Sequence, residues 1–589
     1  MANFNDEKSL SGCFWKAGLY DERAAEVIAQ RFNLPLLLAE ILSARGITCD
    51  AVPSFIDPKL QELMPNPSVM KDADKVAQRL AHAVYDQEKI GIIGDYDVDG
   101  ATSSSVLRLF LESVGVSVET HIPERDEGYG PSISAFDTFK NHGIHLVVTT
   151  DCGTTAFDVF DYAKAQGFEV IVLDHHEAEV KLPDVYGVVN PKRLDETNDY
   201  PDLKFMSAVG VVFMTIVALN RCLRENGFYK THQEPSLLQW LDLVALGTVC
   251  DVVPLQGINR AFVRQGLKVM AQRKNIGLTA LADKAGLTSC PTAFHLGFAL
   301  GPRINAGGRV GDASLGHKLL CCHDLTSAQK IASQLDDFNI QRKDIENYVL
   351  EEAITQLDSH SSDYPIAFAA GKNWHQGVVG IVAGKLKERY NLPSFVMSIE
   401  DDEVKGSARS IPQIDVGALV MAAKEKGILT KGGGHTMAAG YSLAEDKIED
   451  FRVFAGEYVK ARLGDEAITP ILTYDGILDI SGATLDTAQS LELLEPFGSG
   501  NPEPKLVIKN VRLKKASVVG SGHVRCFLVS QNNDSIKAMA FRAADSDLGQ
   551  VMLNNNNDLF DVLGTLRCDN WLGKSSVQFI IDDAKRVTQ

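Results

Sequence analysis

The sequence Gly94-Asp95-Tyr96-Asp97-Val98-Asp99-Gly100 places three carboxylates at alternate positions, directly after the apolar run 90–93. That run has the composition of a buried strand, and the segment from residue 101 is typical of the start of a helix. In an open α/β sheet, ligands bind in the crevice beyond the carboxyl ends of the strands. Alternate residues of an extended segment point to the same side, so the three acids are predicted to converge on one spot in that crevice.

Three converging carboxylates repel one another unless cations neutralise them. Two other interpretations remain open at this point. One is a solvated acidic turn, and the other is a calcium loop, since Asp-X-Asp-X-Asp-Gly also begins an EF-hand. An EF-hand needs a Glu at the twelfth loop position, and that position is Val106 here. The motif by itself favours a metal site without deciding it.

The same arrangement recurs along the chain. Further apolar runs lead into Asp151, into Asp174-His175-His176 and, after Leu241–Cys250, into Asp251. One Asp after a strand is usually a helix N-cap, but parallel strands deliver their carboxyl ends to a single edge of the sheet. Oxygen ligands with one or two imidazoles suit Mn²⁺ or Mg²⁺ better than zinc. The acids are numerous enough for two ions, the arrangement that assists phosphoryl displacement.

Composition excludes several classes of protein. The 589 residues include 45% hydrophobic and 23% charged residues, which is ordinary for a globular chain of several domains. No apolar run reaches the roughly 18 residues of a membrane span, and the N-terminus lacks a signal-peptide pattern. Ten cysteines without a Cys-X-X-Cys motif predict neither a disulfide framework nor a zinc ribbon, and favour the reducing cytoplasm. A net charge of −19 argues against bulk electrostatic binding of nucleic acid, although a local basic groove remains compatible with it.

The predicted organisation is α/β, with two α/β lobes joined by a long helix and a C-terminal β-barrel. The expected segments are 1–70 (helical, for packing or docking), 71–323 (catalytic), 324–358 (connector helix), 359–462 (second α/β lobe) and 463–589 (barrel). The long helix is equally compatible with burial inside one domain. After Glu503, basic residues outnumber acidic ones among short alternating segments, which predicts an oligonucleotide-binding (OB) fold with Phe541 and Trp571 available for stacking. A β-domain whose lysines serve only solubility is the alternative.

The ordered motifs resemble those of the DHH phosphoesterase superfamily and, within it, of its single-strand-specific 5′→3′ DNA exonucleases. The resemblance extends from about residue 70 to the C-terminus, with a second lobe like DHHA1 domains. The motifs that carry it are Gly94–Gly100, Thr150–Gly153, Asp174–His176, Gly247–Leu255, Gly301–Arg309, Trp374–Ala383, Gly406–Ser410, Gly432–His435 and Leu494–Pro502.

The resemblance implies a role for each candidate residue. The implied metal ligands are Asp95, Asp97, Asp99, Asp151, His175 and Asp251. Within that set Asp151 bridges two Mn²⁺ or Mg²⁺ ions, Asp174 orients the imidazoles, and His176 faces the scissile phosphate. Arg125, Ser407 and Arg409 are implied to bind the 5′ end, and Arg303, Asn305 and Arg309 the backbone phosphates. The amides of Gly432–Gly434, with His435 beside them, suit a phosphate, and a glycine-rich tight turn is the alternative there.

The expected activity is therefore exonucleolytic hydrolysis of single-stranded DNA, in repair and recombination. The 5′→3′ direction comes from the resemblance alone. So do the expected partners, which are a single-stranded-DNA-binding protein and a RecQ-type helicase, and we expect a monomer. One alternative is a phosphodiesterase for short oligonucleotides or cyclic dinucleotides, which would resemble only the two α/β lobes. The other is a non-catalytic DNA-binding scaffold, which would be expected to lack metal ligands.

Overall fold

Within the N-terminal 70 residues, the part from residue 7 to Ile56 packs mainly on the C-terminal barrel. The computed structural model describes residues 7–125, 127–359, 364–400, 403–464, 469–555, 557–569 and 575–587. The segment contains β1 (Phe14–Ala17), α1 (Glu22–Phe32), α2 (Leu36–Ala44), α3 (Val52–Ile56) and α4 (Leu60–Leu63). The helices agree with the sequence prediction, whereas β1 was not predicted. Its partner is a strand more than 450 residues away, so no local pattern announces it.

The first lobe is built on a parallel five-stranded sheet. Its elements are α5 (Ala73–Tyr85), β2 (Ile90–Ile93), α6 (Val98–Ser113), β3 (Val118–His121), α7 (Ile133–Asn141), β4 (Leu146–Thr150), α8 (Phe157–Ala165), β5 (Glu169–Leu173), β6 (Gly187–Val189), α9 (Ala208–Glu225), α10 (Leu241–Cys250), α11 (Gly257–Met270), α12 (Ile276–Lys284), α13 (Ala293–His295), α14 (Gly301–Val310) and α15 (Leu315–Leu320). A π-helical turn, Leu296–Leu300, lies between α13 and α14.

The strand order of this sheet fixes where its crevice lies. The order is β3-β2-β4-β5-β6, so the chain leaves β2 in one direction and returns to its other side with β4. Such a reversal opens a crevice beyond the carboxyl ends of the two strands. Asp95 follows β2 and Asp151 follows β4. The first two acidic motifs therefore meet at the reversal.

The run before Asp251 is a helix and not a strand-like segment. Leu241–Thr248 of α10 is buried along its whole length. A helix that is apolar all round carries no 3.6-residue periodicity, so the pattern cannot separate it from a buried strand. Asp251 consequently reaches the crevice as the C-cap of a helix.

The long helix α16 (Leu325–Ser359) joins the two lobes. Near its start, Ala328, Ala332 and Leu335 belong to the core of the first lobe. Near its end, Val349 and Ala353 pack in a cluster with second-lobe residues. Of the two interpretations left open by the sequence, the structure supports the connector.

The second lobe carries a mixed five-stranded sheet of order β10-β11-β9-β8-β7. Its elements are β7 (Ala367–Lys372), α17 (Gln376–Tyr390), β8 (Ser394–Glu400), β9 (Glu403–Arg409), α18 (Val416–Glu425), β10 (Lys431–His435), β11 (Ala438–Ala444) and α19 (Ile448–Leu463). The glycine-rich tight turn is wrong, because Gly432–Gly434 lies within edge strand β10. A Cβ on Gly434 would come within 2.4 Å of the Ala438 carbonyl oxygen, so glycine permits the close hairpin.

The C-terminal domain is a closed five-stranded barrel, which confirms the predicted OB fold. Strand β14 pairs with both β15 and β17, and the ring closes through β16 and β18. Trp571 lies outside the described residues. The elements are β12 (Ile471–Tyr474), β13 (Gly476–Ile477), α20 (Leu485–Glu492), β14 (Leu506–Val519), β15 (His523–Val529), β16 (Ser535–Ala540), α21 (Asp547–Leu553), β17 (Leu559–Asp569) and β18 (Ser576–Arg586). Among the described residues, none of the helices combines the length and apolar character that crossing a bilayer requires.

Arg260, buried on α11, fastens the barrel side of the molecule to the first lobe. Its guanidinium donates to the carbonyl oxygens of Phe55 (2.7 Å), Leu494 (2.9 Å) and Glu495 (2.7 Å). Burial and two neighbouring arginines lower its pKa to about 9, so it remains charged at neutral pH. The motif Leu494–Pro502 thus serves as the docking loop of the barrel.

Replacing Arg260 should weaken this junction. We expect Arg260→Met to cost roughly 3 kcal/mol or more, because the carbonyl oxygens of Phe55, Leu494 and Glu495 each lose a hydrogen bond from a buried charged donor. The midpoint of urea unfolding and the rate of limited proteolysis around residues 494–502 measure the effect. Arg264→Met is the matched control, since Arg264 donates to the Glu495 carbonyl alone among these groups. Equal midpoints for the two variants would contradict the assignment.

The buried carboxyl of Asp242 on α10 should make stability depend on pH. Burial raises its pKa from 3.8 to about 7. Its proton therefore favours the folded state, and that stability is lost as pH rises from about 4 through about 7. Asp242→Asn should be more stable than the wild type at pH 8, by roughly 4 kcal/mol at most, and the gain should shrink towards pH 4. Denaturant titrations across this range test it, and a pH-independent difference would refute it.

Candidate active site

The acids of the first motif occupy three different local structures. Asp95 lies in the loop after β2, Asp97 is the N-cap of α6 and accepts from the Gly100 amide (3.0 Å), and Asp99 lies in the first helical turn. A Cβ on Gly100 would come within 2.4 Å of the Asp95 carbonyl oxygen, so this tight loop requires glycine. The helix begins three residues earlier than predicted. The acids are therefore not an extended row and do not converge on one spot.

Instead, the acids and histidines form overlapping groups that could each hold a cation. Asp95 and Asp97 group with Asp151, and Asp99 groups with His175 and Asp251. A third group, of Asp151, His175 and His176, shares a residue with each of these two. Within each group the ligand atoms all lie within 4.8 Å of one another. Asp151 also lies close to the second group, with its Oδ1 3.3 Å from His175 Nε2. Its carboxylate stands between the two sets, where a shared ligand is needed.

Backbone conformation and a helix terminus set the positions of two of these carboxylates. Asp151 adopts a positive φ of 62°, a strained conformation for a residue other than glycine, which is typical of functional sites. Asp99 is fully buried and accepts hydrogen bonds from the amides of Ala208 (2.6 Å) and Val209 (3.0 Å). These amides open α9, whose N-terminus favours negative charge. Helix α9 therefore fixes Asp99.

His175 presents the lone pair of Nε2 to the acids. Its Nδ1 lies 3.0 Å from the Met206 carbonyl oxygen, which can only accept, so Nδ1 carries the proton. Burial lowers the pKa of His175 to about 3, which keeps the ring neutral. Nε2, Asp95 Oδ1 and Asp251 Oδ2 are buried without a hydrogen-bond partner among the described residues. Three buried atoms that carry lone pairs and lack hydrogen-bond partners are suitable ligands for a divalent cation.

The carboxyls of the cluster are poor acids in the absence of a cation. Burial, reinforced by neighbouring carboxylates, raises the pKa of Asp95 to about 8, of Asp99 to about 7 and of Asp251 to about 9. The same causes raise the pKa of Asp151 well above its ordinary value. Bound cations would replace these protons, because metal ligands must be deprotonated.

His176 is held beside the cluster by Asp174 and Tyr129. Although burial opposes it, the hydrogen bond from Nδ1 to Asp174 Oδ1 (2.8 Å) raises the pKa of His176. The Tyr129 hydroxyl donates to the Asp151 carbonyl (2.9 Å) and lies 3.1 Å from His176 Nδ1. Asp174 orients only this imidazole directly, since the ring of His175 is fixed by Met206.

Four guanidiniums gather on the other side of Asp97. Arg125 and Arg309 come from the first lobe, Arg342 from α16 and Arg409 from β9. Burial, followed by the charges of the other three arginines, lowers the pKa of Arg309 to about 10, while Asp97 opposes the shift. Arg342 pairs with Glu346, and no carboxylate within salt-bridge distance is found for the other three among the described residues. The excess of positive charge predicts an anion site.

Local contacts hold these guanidiniums in place. Arg309 donates to the Gly377 carbonyl (2.8 Å) at the start of α17, and Arg409 donates to the Ser407 hydroxyl (2.8 Å). Arg125 donates to the Gly308 carbonyl (2.7 Å) and lies over the Tyr96 ring, 4.2 Å from its centroid. The site is thus assembled from both lobes.

The other three residues predicted to bind phosphate, Arg303, Asn305 and His435, lie in different surroundings. Arg303 pairs with Asp336 of α16 (2.9 Å) and donates to the Ala299 carbonyl (2.7 Å), so the structure uses it to hold α14 against α16. Asn305 lines a large cavity beside the cluster. His435 is exposed at the end of edge strand β10.

Sequence reasoning missed several residues of this site. Tyr129 follows β3 at the same edge of the sheet as the acids, so the rule that found the acids also points to it. Met206 offers no such signal, because only its backbone acts. Arg342 lies in the long helix α16, where the sequence pattern does not distinguish it from the other charged residues.

Three family models match the chain. They are the DHH family, N-terminal domain (residues 89–248), the DHHA1 domain (363–461) and the RecJ OB domain (474–583). The last model accounts for the barrel, which the shorter phosphodiesterases of the same superfamily were expected to lack.

Curated relatives resemble the chain over most of its length. The RecJ protein of Bacillus subtilis, named a single-stranded-DNA-specific exonuclease, is 31% identical over 576 residues, covering 97% of this chain and 70% of the relative. The Escherichia coli protein of the same name is 33% identical over 570 residues, covering 94% and 96%.

Solved structures of similar proteins share this fold. The crystal structure of Thermus thermophilus RecJ in complex with Mn²⁺ has a TM-score of 0.81 at 26% identity, covering 98% of this chain and 80% of that one. The Mg²⁺ complex of the same protein has a TM-score of 0.76, covering 98% and 79%.

Metal binding should reveal the shared role of Asp151. We expect Asp151→Asn to weaken Mn²⁺ binding more than the roughly 10- to 100-fold typical of changes outside the ligand shell, because its carboxylate faces both groups. Asp251→Asn should weaken one class of site and spare the Asp95/Asp97 side. Calorimetric titration with Mn²⁺ measures both effects, and Asp161→Asn, on the surface of α8, is the control. Wild-type affinity in the Asp151 variant would contradict this geometry.

Proposed function

The chain belongs to the RecJ family of single-stranded-DNA-specific exonucleases, and from this premise we propose that it removes nucleotides from the 5′ end of single-stranded DNA in a reaction that depends on Mn²⁺ or Mg²⁺. The observation that carries the proposal is the juxtaposition of an acidic cluster and an arginine cluster in one cleft. The first suits cations at a scissile phosphodiester, and the second suits a phosphate at the end of the strand.

The ligand assignment follows from the orphaned atoms of the cluster. Cations held there would supply charge neutralisation at a phosphodiester and acidify the attacking water. We assign Asp95, Asp97 and Asp151 to one ion, and Asp99, His175 and Asp251 to the other. Asp151 contributes to both. The amides of α9 hold Asp99, and Met206 holds the tautomer of His175.

We assign proton transfer in the reaction to His176. Asp174 stabilises its protonated form, and Asp174 itself is a strong acid: despite burial, hydrogen bonds from His176 and Thr154 keep its pKa low. A protonated imidazole beside the cations can hydrogen-bond a phosphate oxygen and supply a proton to the departing one. Tyr129 restrains the ring at the position where this contact is needed.

The arginine cluster supports recognition of a 5′-phosphate. A terminal phosphate carries more charge than an internal one and presents three oxygens, which suits several planar guanidiniums. Arg125, Arg309 and Arg409, with the Ser407 hydroxyl, are assigned to it. A strand held there by its 5′ end would bring its first phosphodiester to the acids, which gives the 5′→3′ direction.

The rest of the proposed role follows from the family. The barrel is assigned to binding of the single strand, and the process served is DNA repair and recombination. A single-stranded-DNA-binding protein and a RecQ-type helicase are the partners we propose. The ten cysteines are all free, which fits the reducing cytoplasm as its location.

Digestion of end-labelled strands tests the direction and the 5′ pocket together. We expect Mn²⁺-dependent release of a 5′ label as mononucleotide before the 3′ label, and faster degradation of 5′-phosphorylated than of 5′-hydroxyl strands. Arg409→Ala should reduce that preference by about 10- to 100-fold, because charge-assisted hydrogen bonds to the phosphate are lost.

Arg462→Ala serves as the control, since Arg462 is an exposed arginine of the same lobe that stacks on Tyr458. Early release of the 3′ label would refute the direction. Equal rates on the two kinds of 5′ end in the wild type would refute the pocket while leaving the nuclease assignment intact.

A further inference from the structure

A large cavity lies between the first lobe and the barrel. Its volume is about 1360 Å³. The first lobe contributes Asn305 of α14 and also Cys250 and Val252, the two residues that flank Asp251 in the chain. The barrel side contributes Phe497 of the docking loop and Arg567 of β17. The cavity therefore lies between residues that flank an acid of the proposed catalytic centre and the proposed single-strand-binding domain.

Two phenylalanines stand in the wall of this cavity. Phe294 and Phe298 are stacked, with ring centroids 4.8 Å apart and an interplanar angle of 25°. They are 60% and 72% exposed, respectively. Leu296 and Leu300, on the same stretch of helix, are fully buried in the core of the lobe. Packing of the core thus uses the leucines and does not account for an exposed aromatic pair.

The backbone around the pair is also unusual. The chain forms a π-helical turn at Leu296–Leu300, directly between α13 and α14. Such turns are rare and occur frequently at functional sites. Phe294 precedes the turn, Phe298 lies within it, and Asn305 follows on α14 in the same cavity wall. The irregularity and the exposed rings coincide.

The charges of the wall argue against a track for phosphates. Arg567 is paired with Glu503, and Arg264 donates to the Glu495 carbonyl. Glu492 and Glu495 also line the cavity. Lys268 is a third cation of the wall, beside Arg264 and Arg567, and Glu492, Glu495 and Glu503 balance these three charges. A strand that passes here therefore gains little from net electrostatic attraction, whereas bases stack on exposed aromatic rings irrespective of their sequence. The apolar, aromatic part of the wall therefore fits the bases.

We propose that Phe294 and Phe298 form a stacking platform for the bases of the single strand that are waiting to reach the acidic cluster. This inference rests on the proposed function, because it takes the occupant of the cavity to be the DNA substrate. The position of the cavity, between the residues that flank Asp251 and strand β17 of the barrel, selects that occupant over a protein segment. The platform holds the strand between cuts, so its contribution lies in binding of substrates long enough to reach it.

The test compares Phe294→Ala/Phe298→Ala with the wild type on matched substrates. The substrates are 5′-phosphorylated 20-nucleotide strands, either intact or abasic beyond the first few nucleotides, and a 5′-phosphorylated dinucleotide. The double variant should raise KM for the intact 20-mer at least about fivefold, the lower end of the effect of one stacked base. Removal of the bases from the substrate should raise KM for the wild type and add little for the variant.

Two further variants separate stacking from other causes. Phe298→Trp, alone, should retain low KM for the 20-mer, and its indole fluorescence should be quenched by the intact strand and not by the abasic one. Tyr85→Leu is the control for loss of a half-exposed ring, at the opposite edge of the sheet. Thermal melting is expected to be unchanged in the Phe294 and Phe298 variants, because these two rings are exposed.

The outcomes discriminate between the two proposals. If the wild type degrades no single strand, the proposed function fails. If it does, but the double variant shows wild-type KM for the intact 20-mer, or loses as much on the dinucleotide as on the 20-mer, the platform is refuted. Abasic and intact strands that respond equally to the double variant would likewise refute it, and would leave a protein segment as the occupant of the cavity.

Discussion

Mutual repulsion among buried carboxylates is the constraint on which this molecule depends. Asp95, Asp99, Asp151 and Asp251 are withdrawn from water and face one another, which raises the pKa of each. Much of the first lobe serves to make this arrangement tolerable: the N-terminus of α9 supports Asp99, burial keeps His175 neutral while a backbone carbonyl fixes its tautomer, and a residue of strained backbone, Asp151, carries the carboxylate that lies close to both groups. The lone pairs that remain without a hydrogen-bond partner among the described residues are the positions at which cations can bind.

The two charge clusters divide the work between the lobes. The acids belong entirely to the first lobe, whereas the guanidiniums come from the first lobe, α16 and β9. Helix α16 packs into the cores on both sides and fixes the distance between the lobes. The position of Arg409 relative to the acids thus depends on α16 and on the contact of Arg309 with the Gly377 carbonyl.

Much of this architecture is readable from the sequence. Strands that end in acids predicted the parallel sheet, and the alternating basic segments predicted the barrel. The prediction was wrong where local pattern carries no information, since the all-apolar run before Asp251 is a helix. At Gly432–Gly434 only the tight-turn alternative is excluded, because the glycines lie in a strand, and the phosphate contact there stays a prediction. It was incomplete where backbone groups act, as with Met206, and where partners are remote in sequence, as with β1 and with Arg303, whose guanidinium is held by Asp336. Tertiary context decides such positions.

The contact of Arg260 with the loop at residues 494–502 has a consequence for how such proteins diversify. The buried Arg260 guanidinium donates hydrogen bonds to main-chain carbonyls of the loop and to none of its side chains. At this contact the loop can therefore vary in sequence so long as its backbone path is kept, and the buried Asn501 side chain supports that path by donating to the carbonyl oxygens of Leu494 (2.8 Å) and Pro496 (2.8 Å). Chimeras that exchange barrels between relatives should fold when the loop and its own barrel are transferred together. They should fail to fold when the junction between the two sequences lies inside the loop.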